Sequence, residues 1–585
     1  MYILGLSYGY HDSSAALIKD GQVIFAAQEE RYSRIKHDSQ FPNQSISRAL
    51  KFEKIEIKDI DYIIYYESSL EKFNRIKNSI IKNAFKNFSL SSFKDLINTS
   101  IDWVENKKFI PEAEISKKLN YDISKIKSCS HHESHAASSF YNSNFENAAI
   151  ITIDGVGEKE TITVSHGKKG KINKICSHKY PHSLGLFYST ITSFLGFEIN
   201  EGEYKVMGLA AFGKPIYADK VKKLISYENN KLKLNMMYFN FDFLEQPPYN
   251  KNFVNLFGDA AILDELNGKD VEKTDKFRYF ADLASSFQSV LEDIIFSIFE
   301  HASSLTKENN ICYSGGVALN AVANGKLIKS NKYKLYIYPA AGDAGCAVGA
   351  AQFYYFNILN KEKKLYYVPT MYLGDSYLES DILKHLNFFN LDNYKKFNDN
   401  KELSDYIANK LNENKVVGWF NGRSEFGPRS LGARSILASP KEKNMKNIIN
   451  EKIKFREKFR PFAPLVLEEI ASEYFDYTVS KNLYHPENFM LSVCAVKKEK
   501  VQEIYSATNV DFTSRIQLIS KENKEQLDLR CLLENFYKIS GLPVLINTSF
   551  NRRGEPIVES PKDAIKVFLY TDIDILVLNN HVLIK

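Results

Sequence analysis

The stretch YILGLSYGYHDSSAALIKDGQVIFAAQEE, residues 2–30, predicts a buried strand, a glycine-bearing turn and a β-hairpin. The hairpin is indicated by Asp20 and Gly21, which separate two runs of mainly apolar residues. A related order follows at residues 148–180, where AAIITIDG leads through a glycine turn into TITVSHGKKGKINKICSHKY. The repetition predicts that the first part of the chain consists of two similar α/β halves.

Two further segments repeat the order strand, glycine turn, helix. They are ICYSGGVALNAVAN, residues 311–324, and KLYIYPAAGDAGCAVGAAQFYYF, residues 334–356. Apolar residues at helical spacing predict a long helix over residues 277–306. The Lys-, Asn- and Ser-rich stretch from residue 70 to about 125 predicts a peripheral helical excursion.

A chain of 585 residues is too long for a single hydrophobic core, so we expect more than one domain. The stretch NILNKEKKLYYVPTMY, residues 357–372, interrupts the periodicity with a lysine run and a proline, as linkers do. Strand patterns in KVVGWF, PVLINTS and DIDILVLN lie beyond it. We therefore predict two mixed α/β domains, over residues 1–360 and 373–585.

The composition is that of a soluble globular protein, with 44% hydrophobic and 25% charged residues. The sequence contains neither the ~18 consecutive apolar residues of a membrane span nor a signal-peptide pattern. Its six cysteines form no CxxC pair, which argues against a zinc ribbon and a disulfide framework. We expect a cytoplasmic protein with no membrane partner. A net charge of +6 without a dense basic tail predicts no nucleic-acid partner.

A divalent metal site is indicated by two histidines and two aspartates. His131 and His135, in SCSHHESHAAS, are one helical turn apart and project from the same face of a helix. Asp154 closes the strand of AAIITIDG, and Asp343 lies between glycines in PAAGDAGCAVG. Imidazole and carboxylate ligands suit iron, zinc or manganese. The alternative is that His131 caps or packs and the aspartates are turn residues. His132 would point about 100 degrees away and is expected to be structural.

Four turns of the sequence are of a kind that can bind anions. HDSS, IDGVGE, SGGVALN and AGDAG all lie between a predicted strand and the next element, where backbone amides can cradle phosphate. Neither a P-loop nor a Rossmann glycine pattern occurs. Lys205, in GEYKVMGLAAFGKP, would face either phosphate or solvent.

The second predicted domain carries a dense cationic group in NGRSEFGPRSLGARSILASP and KIKFREKFRPFAP. Arginine binds phosphate or carboxylate through two parallel hydrogen bonds, whereas lysine acts as a point charge. The stretch NTSFNRRGEPIVESP adds neutral hydrogen-bonding side chains after a predicted strand. Together they predict an anion pocket. A scattered basic surface or an RNA-binding patch is the alternative.

These motifs, in this order, resemble the NodU/CmcH/TobZ-type O-carbamoyltransferases over essentially the whole chain. The matching strings include HDSSAAL, EERYSRIKHD, HHESHAAS, TIDGVGE, GEYKVMGLA, SGGVALN, AGDAG, GRSEFGPRSLGARSILASP, KFREKFRPFAP and NTSFN. The resemblance implies an N-terminal domain similar to the tRNA threonylcarbamoyl-transferase subunit, with a duplicated actin-like and Hsp70-like core. It also implies a C-terminal YrdC-like domain.

The resemblance further implies a two-site reaction. The YrdC-like domain would convert ATP, with Mg²⁺, and carbamoyl phosphate into carbamoyladenylate, pyrophosphate and phosphate. At the N-terminal site, where the metal is expected to be Fe²⁺, a hydroxyl of a small-molecule or glycan acceptor would attack the carbamoyl carbon and release AMP. The acceptor's identity stays open, and a homodimer is allowed.

Residue roles are carried over by position. The matches to the metal ligands are His131, His135, Asp154 and Asp343. The matches to nucleotide- or phosphate-contacting positions of the first domain are Asp12, Lys205, Gly315, Gly316 and Asn320. His11 and Lys36 match carbamoyl or acceptor-site positions, with His11 the candidate general base. The matches in the second domain are Lys454 and Arg456 of the KxR pattern, Ser549 and Asn551 of the SxN pattern, and Arg429, Arg434 and Arg460.

Three other functions remain open at this point. A phosphotransferase with ATP in an actin-like cleft would not explain the KxR and SxN patterns. A tRNA or nucleic-acid binding module would show a steep salt dependence of RNA binding, which we do not expect. An inactive regulatory protein would not need the full set of ligands. Residues 70–125 and 225–275 are expected to line an acceptor pocket, to act as a lid, or to contain ordinary core helices.

Overall fold

The computed structural model describes residues 1–87, 110–243, 246–267, 271–363, 370–457, 459–477 and 484–585. The helical excursion predicted from residue 70 to about 125 lies partly outside these ranges, as does the predicted linker. The chain divides into two compact units. The first consists of Met1–Phe25, Phe41–Ala323 and Leu327–Pro369, and the second of Ala26–Gln40, Asn324–Lys326 and Thr370–Lys585.

Two five-stranded sheets, with a separate hairpin, form the strand framework of the first unit. The strands of the first sheet are β1 (Tyr2–Ser7), β2 (Ser14–Lys19), β3 (Gln22–Gln28), β4 (Tyr62–Tyr65) and β5 (Ile126–Ser128). Those of the second sheet and of the hairpin are β6 (Ala148–Ile153), β7 (Glu160–Lys168), β8 (Lys171–Lys179), β9 (Ile225–Glu228), β10 (Lys231–Leu234), β11 (Asn310–Ser314) and β12 (Lys334–Ile337).

The two sheets repeat one topology. The first has the order β3-β2-β1-β4-β5, and the second has the equivalent order with β8-β7-β6-β11-β12. In each sheet the first strand pairs antiparallel with the second and parallel with the fourth, and the fourth pairs parallel with the fifth. The predicted duplication of an α/β half is therefore confirmed. Buried strands such as β6 read as apolar runs because elements cover both of their faces.

Helices connect and cover these strands. Numbered along the chain, those of both units are α1 (Glu30–Ser33), α2 (Asn43–Glu53), α3 (Ser69–Asn87), α4 (Pro111–Leu119), α5 (His131–Phe140), α6 (Leu184–Phe194), α7 (Glu203–Ala210), α8 (Ala218–Val221), α9 (Lys251–Phe257), α10 (Asp275–Thr306), α11 (Ala321–Lys329), α12 (Cys346–Gln352), α13 (Glu379–Phe388), α14 (Asn400–Asn412), α15 (Met445–Ile448), α16 (Ala471–Tyr474), α17 (Leu527–Ser540) and α18 (Pro561–Leu569). Among the described residues, none of the helices is both long enough and apolar enough to span a bilayer.

The long helix α10 confirms the prediction over residues 277–306, starting two residues earlier, at Asp275. Thr274 caps its N-terminus, since the side chain of Thr274 accepts a hydrogen bond from the backbone N–H of Phe277. Lys307 ends the helix in the left-handed conformation, with φ of 59°.

Close packing of α12 against α5 brings two site-bearing helices together. A Cβ atom on Gly349 of α12 would lie 1.7 Å from the carbonyl oxygen of Ser134 in α5. Because no side chain fits there, glycine is required for this approach. The contact fixes the distance between His135 on α5 and Cys346 on α12.

The second unit contains an eight-stranded mixed sheet with the order β13-β22-β21-β14-β15-β20-β16-β19. The strands of the second unit are β13 (Lys395–Lys396), β14 (Val417–Phe420), β15 (Arg434–Ala438), β16 (Ala463–Leu467), β17 (Cys494–Ala495), β18 (Thr513–Ser514), β19 (Gln517–Ile519), β20 (Val544–Ser549), β21 (Ile575–Leu578) and β22 (His581–Ile584). The mixed α/β fold predicted for this part of the chain is confirmed.

Apolar residues on both faces of this sheet form two cores. Along β21, Ile575 and Val577 belong to the core that includes residues of α14 and α17. Leu576 and Leu578 alternate with them and belong to the core that includes residues of α13 and α18. The alternation follows from the two-residue period of a strand, and it explains why β21 is apolar throughout.

Candidate active site

The four predicted metal ligands lie together in the first unit. The Nε2 atoms of His131 and His135, one turn apart on α5, are 3.1 Å from each other. Asp154 directly follows β6, and its Oδ2 lies 2.9 Å from Nε2 of His131 and 3.7 Å from Nε2 of His135. Oδ1 of Asp343 lies 3.7 Å and 3.5 Å from the same two nitrogens.

Backbone contacts hold these ligands in place. Glu158 accepts a hydrogen bond of 2.9 Å from the backbone N–H of His131, at the start of α5. Oδ1 of Asp154 accepts one of 3.0 Å from the backbone N–H of Gly316. Gly315 adopts φ of +90°, and a Cβ atom there would lie 2.2 Å from the carbonyl oxygen of Ile153. Glycine therefore lets the SGG turn approach the end of β6.

Cys346 is a donor that the sequence did not lead us to expect. One donor atom from each of His131, His135, Asp343 and Cys346 lies within 4.8 Å of the other three, and all four residues are buried. The Nδ1 atoms of both histidines are buried without a hydrogen-bond partner. The available signal was the spacing, because Cys346 follows Asp343 by one helical turn. This donor set fits a divalent transition metal.

The charges around the cluster also fit a cation. Burial opposes ionisation of Asp154, but hydrogen bonds from His131 and His135 hold its pKa well below the ordinary value. The pKa of Asp343 is also lowered, since His11 and His131 outweigh its burial. Both carboxylates are therefore ionised at neutral pH.

His132 is neutral and lies outside the set of donors. Burial, with the neighbouring His131 next in importance, lowers the pKa of His132 to about 3. Neither ring nitrogen of His132 has a hydrogen-bond partner among the described residues.

His11 and Asp12, in the turn between β1 and β2, border the cluster. Nε2 of His11 lies 3.6 Å from Oδ2 of Asp343, and Nδ1 lies 2.9 Å from Oδ2 of Asp12. Burial disfavours the imidazolium, but Asp343 and Asp12 outweigh it and raise the pKa of His11 to about 9. His11 is therefore protonated at neutral pH unless a cation offsets these carboxylates.

Three other predicted residues of this region have different surroundings. Asn320 exchanges hydrogen bonds of 3.0 and 3.1 Å with Gln288. Lys205 is buried, with its amine 5.5 Å from the centre of the Phe197 ring. Lys36 belongs to the second unit, where its amine lies 3.3 Å from the carboxylate of Glu30.

In the second unit the KxR and SxN motifs meet at Lys454. A π-helix, Ile449–Lys454, ends at this lysine. Nζ of Lys454 lies 2.6 and 3.0 Å from the carbonyl and hydroxyl oxygens of Ser549, and 3.0 and 2.5 Å from the carbonyl and amide oxygens of Asn551. Burial, followed by the charges of Arg456 and Arg460, lowers the pKa of Lys454 well below its ordinary value.

The neighbouring arginines differ in their partners. Arg456 donates to the side chain of Asn450 at 2.8 Å, and Arg460 lies 2.6 Å from the carboxylate of Glu457. Arg429 is half-buried. Arg434 is fully buried, with its guanidinium 3.7 Å from the centre of the Phe420 ring. The carbonyls that accept its hydrogen bonds belong to Asn421, Gly422, Ala433, Asp375 and Glu559. In this structure Arg434 thus supports the backbone.

Two buried glutamates near Arg434 were not predicted. Oε1 of Glu425 accepts hydrogen bonds of 2.7, 2.7 and 3.1 Å from the backbone N–H groups of Leu431, Ala433 and Arg434. Burial raises the pKa of Glu559 to about 7, although Arg434 and Arg31 partly oppose the shift. Both lie in quoted motifs, Glu425 in GRSEFGPRSLGARSILASP and Glu559 in NTSFNRRGEPIVESP, but nothing in the sequence indicated that they are buried.

Comparison with known proteins places this architecture in one family. The family described as "Carbamoyltransferase N-terminus" matches residues 2–352, and "Carbamoyltransferase C-terminus" matches residues 408–585. Among relatives, the uncharacterized protein sll1178 of Synechocystis is 37% identical over 100% of this chain and 97% of its own. Nodulation protein NolNO of Sinorhizobium fredii is 32% identical over 98% of this chain and 79% of its own. Nodulation protein NolO of Bradyrhizobium diazoefficiens is 36% identical over 77% of each.

The two matches define a carbamoyltransferase with separate N- and C-terminal regions. The chain belongs to the carbamoyltransferase family, as both family matches and these relatives show. It is therefore an enzyme of carbamoyl transfer, and the family resemblance found in its sequence is confirmed.

Proposed function

We propose that this enzyme is an ATP-dependent O-carbamoyltransferase with two half-reactions. In the second unit, carbamoyl phosphate and water give carbamate and phosphate. Carbamate then attacks the α-phosphate of ATP, which forms carbamoyladenylate and releases pyrophosphate. In the first unit, the hydroxyl oxygen of a small-molecule or glycan acceptor bonds to the carbamoyl carbon. The bond from that carbon to the phosphate oxygen breaks, and AMP leaves.

The single observation that carries the proposal is the environment of Lys454. Its amine lies among four oxygens, and burial, followed by the charges of Arg456 and Arg460, lowers its pKa. Glu457 pairs with Arg460, but among the described residues Lys454 contacts only neutral oxygens, so bound anions would stabilise its charged form. ATP and carbamoyl phosphate bring such anions, and preorganised cations would stabilise the departing pyrophosphate.

Metal binding would serve the second half-reaction. His131, His135, Asp154, Asp343 and Cys346 would hold a divalent ion, which supplies a Lewis acid for the adenylate. Fe²⁺ is our first expectation for this ion. The turns that carry Asp12, Gly316 and Asp343 would orient the adenylate through backbone amides and side chains.

His11 is the proposed proton-handling residue for the acceptor hydroxyl. Its side chain is 21% exposed beside Asp343, so a hydroxyl can approach it from solvent. A bound cation would offset the charges of the neighbouring carboxylates and so lower the pKa of His11 toward its ordinary value. The ring would then be able to accept a proton.

The test is pyrophosphate release from ATP in the presence of carbamoyl phosphate, with no acceptor. We expect carbamoyl-phosphate-dependent release that is lost in Lys454→Ala and retained in His135→Ala. Lys452→Ala is the matched control, because Lys452 is an exposed lysine two residues away. If metal-replete protein released pyrophosphate independently of carbamoyl phosphate, the proposal would be refuted. Formation of ADP without pyrophosphate would instead favour the phosphotransferase alternative.

A further inference from the structure

Four side chains of the first unit line the His11 side of the metal cluster. Tyr10 lies in the β1–β2 turn, Lys72 and Arg75 lie on α3, and Tyr180 follows β8. We call this set the acceptor rim. The mechanism described above assigns none of its members a role.

The acceptor rim is connected to the cluster by direct contacts. The rings of Tyr10 and His11 have centroids 4.6 Å apart, and His11 in turn faces Asp343. Arg75 donates a hydrogen bond to the carbonyl oxygen of Gly157. A Cβ atom on Gly157 would lie 3.1 Å from Cβ of His131, so only one residue separates Arg75 from a metal-ligating histidine.

The two cations of the rim differ in their partners. Lys72 is paired with the carboxylate of Glu67 at 2.7 Å. Arg75 is half-buried, and among the residues that the structure describes it has no carboxylate partner. Its guanidinium contacts a carbonyl and lies 5.6 Å from the centre of the Tyr180 ring. Glu67 and Glu158 favour the charged form of Arg75, but no ion pair joins either carboxylate to the guanidinium among the described residues. A carboxylate or phosphate of a ligand could therefore contact it through two hydrogen bonds.

The rim also presents an exposed aromatic surface. The side chain of Tyr10 is 57% exposed although it adjoins a buried cluster. The amine of Lys72 lies 5.3 Å from the centre of its ring. Small-molecule sites combine aromatic walls with a few placed polar groups, and Tyr10 with Arg75 has that composition.

We propose that the acceptor rim is the acceptor subsite, and that it takes an acidic sugar. Such an acceptor combines a ring, which Tyr10 contacts, with a carboxylate or phosphate, which Arg75 binds. Its hydroxyl then faces His11. This inference rests on the proposed function and specifies the class of acceptor.

The experiment uses the full chain with ATP, carbamoyl phosphate and matched pairs of acceptors. The pairs are 4-nitrophenyl β-D-glucuronide and glucoside, D-galacturonate and D-galactose, and D-glucose 6-phosphate and D-glucose. We expect the acidic member of at least one pair to have a KM about tenfold lower, as one charge-assisted hydrogen bond predicts. Arg75→Gln should remove that preference through KM rather than kcat. Lys77→Gln, which removes a half-buried cation from the same helix, should keep it.

Two further variants keep the test decisive. Tyr10→Ala should raise KM for both members of a pair, whereas Tyr10→Phe, which keeps the ring, should not. Thermal unfolding of each variant verifies that it is folded. A preference that survives Arg75→Gln, or no use of any acidic member, would overturn the inference. Pyrophosphate release by the wild type is measured in parallel, and its absence would overturn the proposed function instead.

Discussion

The Nε2 atoms of His131 and His135 face each other at 3.1 Å across one turn of α5. Two imidazoles at this distance either share a proton or direct two lone pairs at one cation. The carboxylates of Asp154 and Asp343 lie within 3.7 Å of both nitrogens and add anionic donors around the same point, which supports the second arrangement. Cobalt binding can distinguish the two arrangements.

We predict that Co²⁺ binds to the metal-free enzyme with an intense near-ultraviolet band from thiolate coordination by Cys346. Cys346→Ser should abolish that band and weaken binding about tenfold or more, because a soft ligand is lost. The visible bands of Co²⁺ should persist through His131 and His135. Cys312→Ser, which changes another buried cysteine, is the control. An unchanged spectrum in Cys346→Ser would exclude the thiol as a ligand.

The second prediction concerns Glu559 and the pH dependence of stability. Burial raises its folded-state pKa to about 7, from an ordinary 4.5. The folded state therefore binds the proton more tightly, and stability falls as the pH rises from 4.5 toward 7. The loss amounts to about 3 kcal/mol above pH 7, at 1.36 kcal/mol for each pKa unit.

Glu559→Gln should remove this loss, because the neutral amide mimics the protonated acid. We expect the variant to unfold at a higher temperature than the wild type at pH 8 and at the same temperature at pH 4.5. Calorimetric scans across this range provide the measurement. Glu522→Gln, at an exposed site, should follow the wild type throughout. The prediction would be contradicted if the unfolding temperatures of Glu559→Gln and the wild type differed by the same amount at every pH.

The third prediction concerns proton uptake at Lys454. Burial, followed by the charges of Arg456 and Arg460, holds the pKa of Lys454 well below its ordinary value. Bound phosphates would raise that pKa again, so the amine would bind a proton at a pH between the two values. Binding of ATP with carbamoyl phosphate should therefore take up a proton. Calorimetry in two buffers of different ionisation enthalpy measures the uptake. Lys454→Met should lose it and Lys452→Met should keep it, whereas equal enthalpies in both buffers for the wild type would refute it.

The sequence predicted those parts of the site that depend on local spacing. His131 and His135 are one helical turn apart, and Asp154 directly follows a recognisable strand. Cys346 was missed because a single thiol carries no pattern, although its spacing from Asp343 places it on the same side of the cluster. Arg434 could not be separated from the other arginines, since its partners are backbone carbonyls from distant segments.

In the fold, too, features encoded by consecutive residues were predictable, whereas features that depend on distant segments were not. The repeated strand order predicted the duplicated sheets, because each half is encoded by consecutive residues. The sequence could not predict that Lys36 belongs to the second unit. That assignment depends on contacts between Ala26–Gln40 and segments hundreds of residues later in the chain. Arg34 is an example, because its guanidinium donates hydrogen bonds of 2.7 Å to the carbonyls of Ile557 and Pro556.

The discontinuous second unit has a consequence for biosynthesis. Ala26–Gln40 leaves the ribosome early, but the residues that complete its compact unit extend to the last strand of the chain. Domains generally fold as units during synthesis, from the N-terminus onward. Here the contacts of Ala26–Gln40 with the rest of its unit can be completed only when translation is nearly finished. An expression fragment that begins after residue 370 would lack Ala26–Gln40 and the contacts that this segment makes within the second unit.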